Sequence, residues 1–478
     1  MMRMSAKPKS PAGATPFAGA AASVTGGVVG YTLQRLFPTT SAKGRALRLA
    51  GLTAGVTGSY VGYMLQRLFL GEERRDRKRR SMQAKAGRRI RDELMLLRGP
   101  AMKFGQALSL HTDIVPEGIL DELTKLQMEA PGMHPSLAIA QFTANLGRPP
   151  EQAFKRFDPE PFAAASLGQV HRAVMRDGTR VAVKIQYPGI RAAVENDFRW
   201  IRSLSLPAQA SGHLPKAALD ELESQILAET DYAREAGHIE FFHAGLKPLE
   251  FVTVPDVYRD LSTDRILTMS VVPGRHLDDF MATRPSQRLR DTIGSRLFEL
   301  FYFQVLTLES LHADPHWGNY LFNDDGTIGL VDFGCVKQLG SDVVRRLRKS
   351  YLYPGRTDST EFQQILEEQF VGPGSQLSRR ARRALVGFVD RFYRKVYPPD
   401  PKDAERPFDF SDSGFLRDFL REMSKLALAR GSAPHFIFFV RAEIGLYTTL
   451  HRLKARVRTS AITRRLLSAS AGARLVRK

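Results

Sequence analysis

The 478-residue chain has a single cysteine, Cys335. That excludes an intramolecular disulfide and a thiolate zinc cluster, and it suits a reducing compartment. Acidic residues are missing before Glu72. This acid-poor start fits an organelle transit peptide or a bacterial membrane anchor. No compact apolar run ends in a small-residue cleavage site, so a cleaved signal peptide is not expected. Strongly apolar runs are lacking too: the uncharged stretches at 10–34 and 49–66 are long enough to span a bilayer but rich in Gly, Ala, Ser and Thr, which makes their transfer into lipid weak. No zinc-finger, RNP-type or basic-zipper pattern accompanies the basic residues, so nucleic acid is not an expected partner.

What is present is positive charge, unevenly placed. The net charge is +20. Residues 1–100 hold 19 Lys/Arg against 5 Asp/Glu, and residues 451–478 hold 9 against none, which leaves the middle near neutral. Basic ends on a near-neutral body favour an anionic membrane surface; solvated charge that aids solubility is the plainer alternative. The length allows two or three domains.

The N-terminal stretch repeats. Val24–Phe37 (VTGGVVGYTLQRLF) returns 32 residues on as Val56–Phe69 (VTGSYVGYMLQRLF), and each copy has a G-x-x-x-G pair, Gly26/Gly30 and Gly58/Gly62. On a helix such glycines share one face and let two backbones approach. Residues 1–70 are therefore expected to form a membrane-associated helical pair, or a soluble pair packed on the body, and a homodimer through these helices is a further expectation. The cluster Arg74–Arg80 (RRDRKRR) reads as a basic linker over 71–86 that sits at anionic headgroups on the cytoplasmic side. Helical spacing marks 87–150.

From 150 the pattern turns to strands. Val170–Met175 and Arg180–Gln186 are β-prone runs joined by the turn Arg176–Thr179. One long helix is expected over Leu219–Phe242, then strands at Phe251–Val254 and Arg265–Met269. From 276 the chain reads as mostly helical, apart from two short strands around Asn323-Asp324-Asp325-Gly326. The expected fold is α+β and bilobal: a small β-containing lobe over 151–273 and a larger helical lobe over 274–478.

Phosphoryl transfer needs a cation on the phosphates, oxygen ligands for Mg²⁺ and a group that orients the nucleophile. Val181-Ala182-Val183-Lys184 is a V-A-[IV]-K strand whose lysine can reach phosphates. Glu235 on the following helix is a candidate partner for that lysine, although a surface Glu/Arg helix gives the same pattern. In His312-Ala313-Asp314-Pro315-His316-Trp317-Gly318-Asn319 the Asp and Asn stand five apart, as in a kinase catalytic loop. Asp314 can orient or deprotonate a nucleophile, and Asn319 can ligate Mg²⁺. His312, Asp314 and His316 are also competent zinc ligands, but Asn319 and the next motif fit the phosphoryl-transfer pattern better. That motif is Asp332-Phe333-Gly334, a D-F-G metal carboxylate delivered by a β-run. Two kinase features are absent. Phe162-Ala163-Ala164-Ala165-Ser166-Leu167-Gly168-Gln169 stands where a glycine-rich loop should cover the phosphates, and alanine cannot take φ > 0 cheaply. No A-P-E motif follows Asp332; Cys335–Gln338 runs on into a polar helix. An ordinary protein kinase is thereby disfavoured.

Together these motifs resemble the UbiB/AarF-type atypical kinase-like family, which supports ubiquinone biosynthesis. The resemblance covers roughly residues 90–455. It rests on Lys103-Phe104-Gly105-Gln106 (the family's K-x-G-Q), the alanine-rich loop at 163–166, Lys184, Glu229-x-Asp231, the HADPHWGN loop and DFG. It implies a kinase-like core with an added N-terminal helical region that carries Lys103 and Gln106 to the active site, where Glu229 and Asp231 would contact Lys103 and close off the peptide site. It implies that Lys184 pairs with Glu235 and touches nucleotide phosphates, with Ala163, Ala164, Ala165, Ser166, Met269 and Val271 around the nucleotide and Asn319 and Asp332 on the metal. ATP/ADP and Mg²⁺ are the implied cofactors. Hydrolysis of ATP in support of membrane lipid or isoprenoid quinone intermediates is the implied activity, with quinone-biosynthesis enzymes as partners and a mitochondrial location in a eukaryote. A true phosphotransferase and an inactive nucleotide-sensing scaffold are the rival readings. Trp317 stands where the family more often has proline, and Ser270 where the hinge often has Glu.

Overall fold

Alternation decides the first structural element. In Arg180–Gln186 the β-branched Val181, Val183 and Ile185 are fully buried against one neighbour, and Ala182, Lys184 and Gln186 face the other way. The structure is a computed structural model. It describes residues 51, 72–97, 133–165, 167–204, 216–314, 316–352, 359–371, 377–398, 400, 402–403, 405–427 and 434–475. The glycine-rich repeat, Lys103, Gln106, Pro315 and Ser166 lie outside the described residues.

In chain order α1 (Glu72–Leu97) comes first, and the small lobe then contains α2 (Pro135–Leu146), α3 (Pro150–Ala153), β1 (Arg156–Ala165), β2 (Gly168–Val174), β3 (Arg180–Gln186), α4 (Ile190–Leu204), α5 (Lys216–Ala228), α6 (Tyr232–Gly245), β4 (Val252–Thr253) and β5 (Ile266–Ser270). The antiparallel sheet has the order β1-β2-β3-β5. Ala138 and Phe142 of α2, with Phe154, cover its Val181/Val183/Ile185 face. The β2–β3 turn closes with Gly178 at φ +92° and Asp177 accepting from the Thr179 amide at 2.9 Å.

The large lobe contains α7 (Leu277–Ala282), α8 (Gln287–Leu306), β6 (Ser310–His312), β7 (Tyr320–Phe322), β8 (Ile328–Leu330), β9 (Val336–Gln338), α9 (Ser341–Leu352), α10 (Thr360–Val371), α11 (Arg379–Phe388), α12 (Arg394–Val396), β10 (Phe408–Asp409), α13 (Ser413–Ala427), α14 (Pro434–Leu453), β11 (Arg456–Val457) and α15 (Thr459–Leu475). Ser286 caps α8 by accepting from the Leu289 amide. Ile293, Leu297, Phe298, Tyr302 and Val305 then place α8 at the centre of the large-lobe core. Between the lobes lies a second apolar cluster. It joins α6 (Ala236, Ile239, Phe242), β5 (Leu267), α8 (Leu300), β8 (Leu330) and Phe333.

Several expectations are corrected. The single helix over Leu219–Phe242 is two, α5 and α6. Asp231 is extended (φ −111°, ψ 94°) and its carboxylate accepts from the Arg234 amide at 3.1 Å, while Thr230 Oγ1 donates to the Leu227 carbonyl at 2.7 Å. Both side chains satisfy backbone groups locally and so end one helix and begin the next. The alanine-rich segment is no loop up to Ala165: Ala163, Ala164 and Ala165 pair with Val170, Gln169 and Gly168. Val336–Gln338 is strand β9, paired with β6, before the polar helix α9 begins. The basic run Arg74–Arg80 falls inside α1. The 273 boundary is also crossed, because β4 pairs in parallel with β8 of the large lobe.

Candidate nucleotide and metal site

Strand β3 presents Lys184 on the face opposite the α2 core, and helix α6 presents Glu235 one turn after its Asp231 cap. The two meet: Lys184 Nζ donates to Glu235 Oε1 at 2.9 Å and Oε2 at 2.8 Å. Both are buried, at 8% and 3% exposure. Burial works against the charge on Lys184, but the carboxylates of Asp332 and Glu235 outweigh it and hold the ammonium above the ordinary lysine value. Burial likewise pushes the Glu235 carboxyl up, against the pull of Lys184. The bidentate contact fits the ionised pair, whose mutual attraction offsets the cost of taking both charges out of water. Lys184 Nζ also lies 4.9 Å from the centroid of the Tyr232 ring. Burial, foremost, raises the Tyr232 hydroxyl far above its usual value, so that ring is neutral.

Asp332 approaches from the other lobe. Its Oδ1 is 3.9 Å from Lys184 Nζ. The β7–β8 hairpin delivers it: Tyr320 pairs with Leu330, and the Val331 amide donates to the Asn319 carbonyl at 3.0 Å. Asn319 and Asp332 therefore sit at the same end of that hairpin. Asp332 has φ +62°, a left-handed conformation uncommon outside glycine. Gly334 supports it by donating its amide to Asp332 Oδ1 at 3.1 Å; a Cβ at 334 would stand 3.2 Å from that same oxygen. Phe333 is fully buried, 5.6 Å from Phe242 of α6. Its amide approaches Glu235 Oε1 at 3.4 Å, and its carbonyl accepts from His238 Nδ1 at 2.9 Å. Burial keeps His238 below the usual histidine value and hence neutral.

The loop with Asp314 is tied to the same segment. His312 Nε2 donates to the Asp332 carbonyl, and the Ala313 amide donates to the Cys335 carbonyl at 2.9 Å. Asp314 Oδ1 accepts weakly from the His316 amide at 3.4 Å. His316 accepts from the Gly318 amide at 3.0 Å and is held below its usual value by burial, against the pull of Asp314. Trp317 stacks on His316 at 4.7 Å and lies under Arg452 of α14, which itself pairs with Asp278 of α7.

Asn319 is nearly buried, and its Nδ2 has no hydrogen-bond partner among the described residues. An amide oxygen and a carboxylate are hard oxygen donors, which suit Mg²⁺ completed by water and phosphate oxygens. No group of three or more His, Cys, Asp or Glu side chains able to hold a metal occurs among the described residues. The His312/Asp314/His316 zinc alternative thus gains nothing, since His312 Nε2 is turned to a backbone carbonyl.

Of the other sequence candidates, Glu229 comes near: its Cγ is 3.9 Å from where a Gly334 side chain would begin. Asp231 is a helix cap. Ala163–Ala165 lie on β1 and Met269 on β5 beside β3, with Val271 just beyond and exposed. Sequence reasoning passed over Tyr232, His312 as a link to Asp332, and Arg452. Tyr232 had a signal, directly following Glu229-Thr230-Asp231; Arg452 had none.

A four-stranded sheet and α6 above, a helical lobe below, and a lysine, glutamate and aspartate meeting between them define a protein-kinase-like molecule. A family model described as the ABC1 atypical kinase-like domain matches residues 125–366, and the chain belongs to that family. It is 32% identical over 331 residues to the mitochondrial atypical kinase COQ8 of Saccharomyces cerevisiae, covering 68% of this chain and 64% of that protein. It is 32% identical over 290 residues to the probable protein kinase UbiB of Pseudomonas paraeruginosa, covering 57% of this chain and 54% of that protein. Among solved structures it resembles Rv3197 of Mycobacterium tuberculosis, determined in complex with erythromycin, at TM-score 0.57 and 26% identity over 77% of this chain and 92% of that one. The chain spans about half the length of several curated relatives it matches, 46% and 45% for two chloroplastic kinases of Arabidopsis thaliana. The resemblance to UbiB-type atypical kinases therefore holds. Among the described residues no helix is long and apolar enough to cross a membrane.

Proposed function

We propose that the cleft binds ATP or ADP with Mg²⁺ and that the chain acts as an atypical kinase-like ATPase supporting isoprenoid quinone or related lipid metabolism at a membrane surface. The observation that carries the nucleotide reading is the convergence of Lys184 on Glu235 (2.8 Å) and Asp332 (3.9 Å) from two lobes. Glu235 fixes the ammonium where it can meet phosphate oxygens. Asn319 and Asp332 would hold Mg²⁺, which when bound neutralises phosphate charge. Asp314, on the loop anchored by His312, would accept a proton from water or an alcohol. Alanines 163–165 narrow the backbone choices of the β1–β2 hairpin, and Met269 and Val271 would flank the base. Lys103 and Gln106 are proposed as regulatory residues acting with Glu229 and Asp231.

The membrane reading is supported by the basic ends and the glycine-rich repeat, and the quinone reading by the COQ8 and UbiB relatives. The decisive experiment measures phosphate release from Mg-ATP with and without anionic vesicles. Lipid-stimulated release with no phosphorylated product supports the ATPase. A phosphorylated product would favour the transferase reading, in keeping with kinase names among the relatives. Absence of nucleotide-dependent thermal stabilisation would remove the site altogether. Truncation of residues 1–80 is expected to abolish vesicle binding, and retained binding would refute the anchor.

A further inference from the structure

Glu235, His238 and Phe242 follow one another at helical spacing on α6, so they share one face of that helix. All three close on Phe333. Glu235 Oε1 lies 3.4 Å from its amide, His238 Nδ1 lies 2.9 Å from its carbonyl oxygen, and the Phe242 ring stands 5.6 Å from its ring. A carbonyl oxygen can only accept, so this bond places the His238 ring proton on Nδ1. The large lobe holds the preceding peptide, with His312 Nε2 donating to the Asp332 carbonyl. Two consecutive carbonyls are thus gripped by two imidazoles, one from each lobe.

The grip of His238 reaches the Asp332 side chain. The Phe333 carbonyl and the Gly334 amide are the two ends of one planar peptide. Whatever fixes the carbonyl therefore aims the amide, and that amide donates to Asp332 Oδ1 at 3.1 Å. The backbone of Asp332 also needs such support. At φ +62° it lies in the left-handed region, which an aspartate keeps only where its surroundings hold it. Bonds in series along one peptide polarise one another, so a firm donor at the carbonyl strengthens donation by the amide.

We infer that His238 is a positioning residue for the metal: acting through the 333–334 peptide, it fixes the Asp332 carboxylate for Mg²⁺. Helix α6 then sets both sides of the site, since its Glu235 already holds the Lys184 ammonium. The inference rests on the nucleotide and metal reading of the Lys184 cleft. The test titrates Mg²⁺ against the full chain at fixed ADP and reads thermal stabilisation, with ADP in excess EDTA as the metal-free arm. His238→Leu is expected to raise the Mg²⁺ concentration for half-maximal stabilisation by about tenfold. It should leave the metal-free ADP shift unchanged, because Lys184 and Glu235 are intact. His238→Asn, whose amide N–H can serve the same carbonyl, should recover most of the Mg²⁺ response. A packing role alone would weaken both ADP arms together and would not be rescued by asparagine. On the unaltered chain, adding Mg²⁺ to the ADP complex should shift the ¹⁵N resonance of His238 Nδ1, assigned with His238→Asn. An unmoved resonance, or an unchanged Mg²⁺ midpoint in His238→Leu, would overturn the inference and leave the site reading in place; the first decides even where His238→Leu does not fold. A parent chain without any Mg²⁺-dependent ADP shift would instead remove the site reading, and the inference with it.

Discussion

The guanidinium of Arg452 lies 4.4 Å from the ring centroid of Trp317. This contact carries α14 of the large lobe onto the loop that spans Asp314 and Asn319, and the ion pair of Arg452 with Asp278 fixes the arginine from its other side. A tryptophan at 317 therefore has a partner that a proline would not use. Arg452→Ala is expected to cost about 1 kcal/mol of stability and to shift Trp317 fluorescence, with partial recovery in Arg452→Lys. An unchanged emission spectrum in Arg452→Ala would show that the contact does not order the loop.

The Lys184–Glu235 pair is expected to behave as a unit. Removing one buried partner strands the other charge, so Glu235→Ala should cost about 3–5 kcal/mol. The double variant Lys184→Met/Glu235→Leu should recover much of that loss while losing nucleotide-induced stabilisation. Denaturant titration of the four proteins of the cycle checks this; additive losses would mean the two groups are not coupled.

Asp332→Asn is expected to abolish the thermal stabilisation by Mg-nucleotide while leaving the apo unfolding midpoint within a degree or two. The side chain is half-exposed, so its loss leaves no buried hole. A full nucleotide shift in this variant would take Asp332 out of the metal site.

Gly168 opens β2, where a Cβ would fall on the Ile185 carbonyl oxygen and within 2.7 Å of the Tyr232 hydroxyl. Neither neighbour can yield, since one is backbone and the other fully buried. Gly168→Ala should therefore destabilise the fold by about 1–3 kcal/mol. Ala164→Gly, two strand positions from the hairpin tip, should leave stability nearly intact and alter the ratio of ATP to ADP affinity. A Gly168→Ala protein as stable as the parent would contradict the close approach.

Glu443 is fully buried among tyrosines, and burial pushes its carboxyl up to about 7 against the pull of their hydroxyls. An acid raised in the folded state favours folding while protonated. Its contribution is complete below the unfolded value of 4.5 and is lost as pH climbs to about 7. Glu443→Gln keeps an acceptor for the tyrosines without a titrating proton. The stability of the parent minus that of Glu443→Gln should therefore fall by a few kcal/mol between pH 4.5 and 7, at about 1.4 kcal/mol per unit. A flat difference across that range would place the carboxyl elsewhere.

The parts legible in the sequence were those where chemistry restricts residue type. Lys184, Asp314, Asn319 and Asp332 stand in a fixed order, whereas the pairing of Lys184 with Glu235 was implied by the family resemblance alone, a surface Glu/Arg helix giving the same pattern. The break before α6 was hidden because the apolar rhythm from Leu219 to Phe242 continues through it, and only the local bonds of Thr230 and Asp231 interrupt the backbone. Alanine has little strand preference of its own; the β conformation of Ala163–Ala165 is imposed by pairing with β2. Strands β6 and β9 are three residues each, too short for any periodicity. The tyrosine ring around Glu443 draws on positions from 302 to 447, and nothing short of the tertiary fold brings them together.

The parallel pairing of β4 with β8 matches Thr253 to Gly329, three residues before Asp332. The stretch that leads from α6 back to the sheet is thus stitched to the very ribbon that carries Asp332. A substitution that loosens this pairing would therefore reach Asp332 through the β7–β8 hairpin without touching the cleft itself.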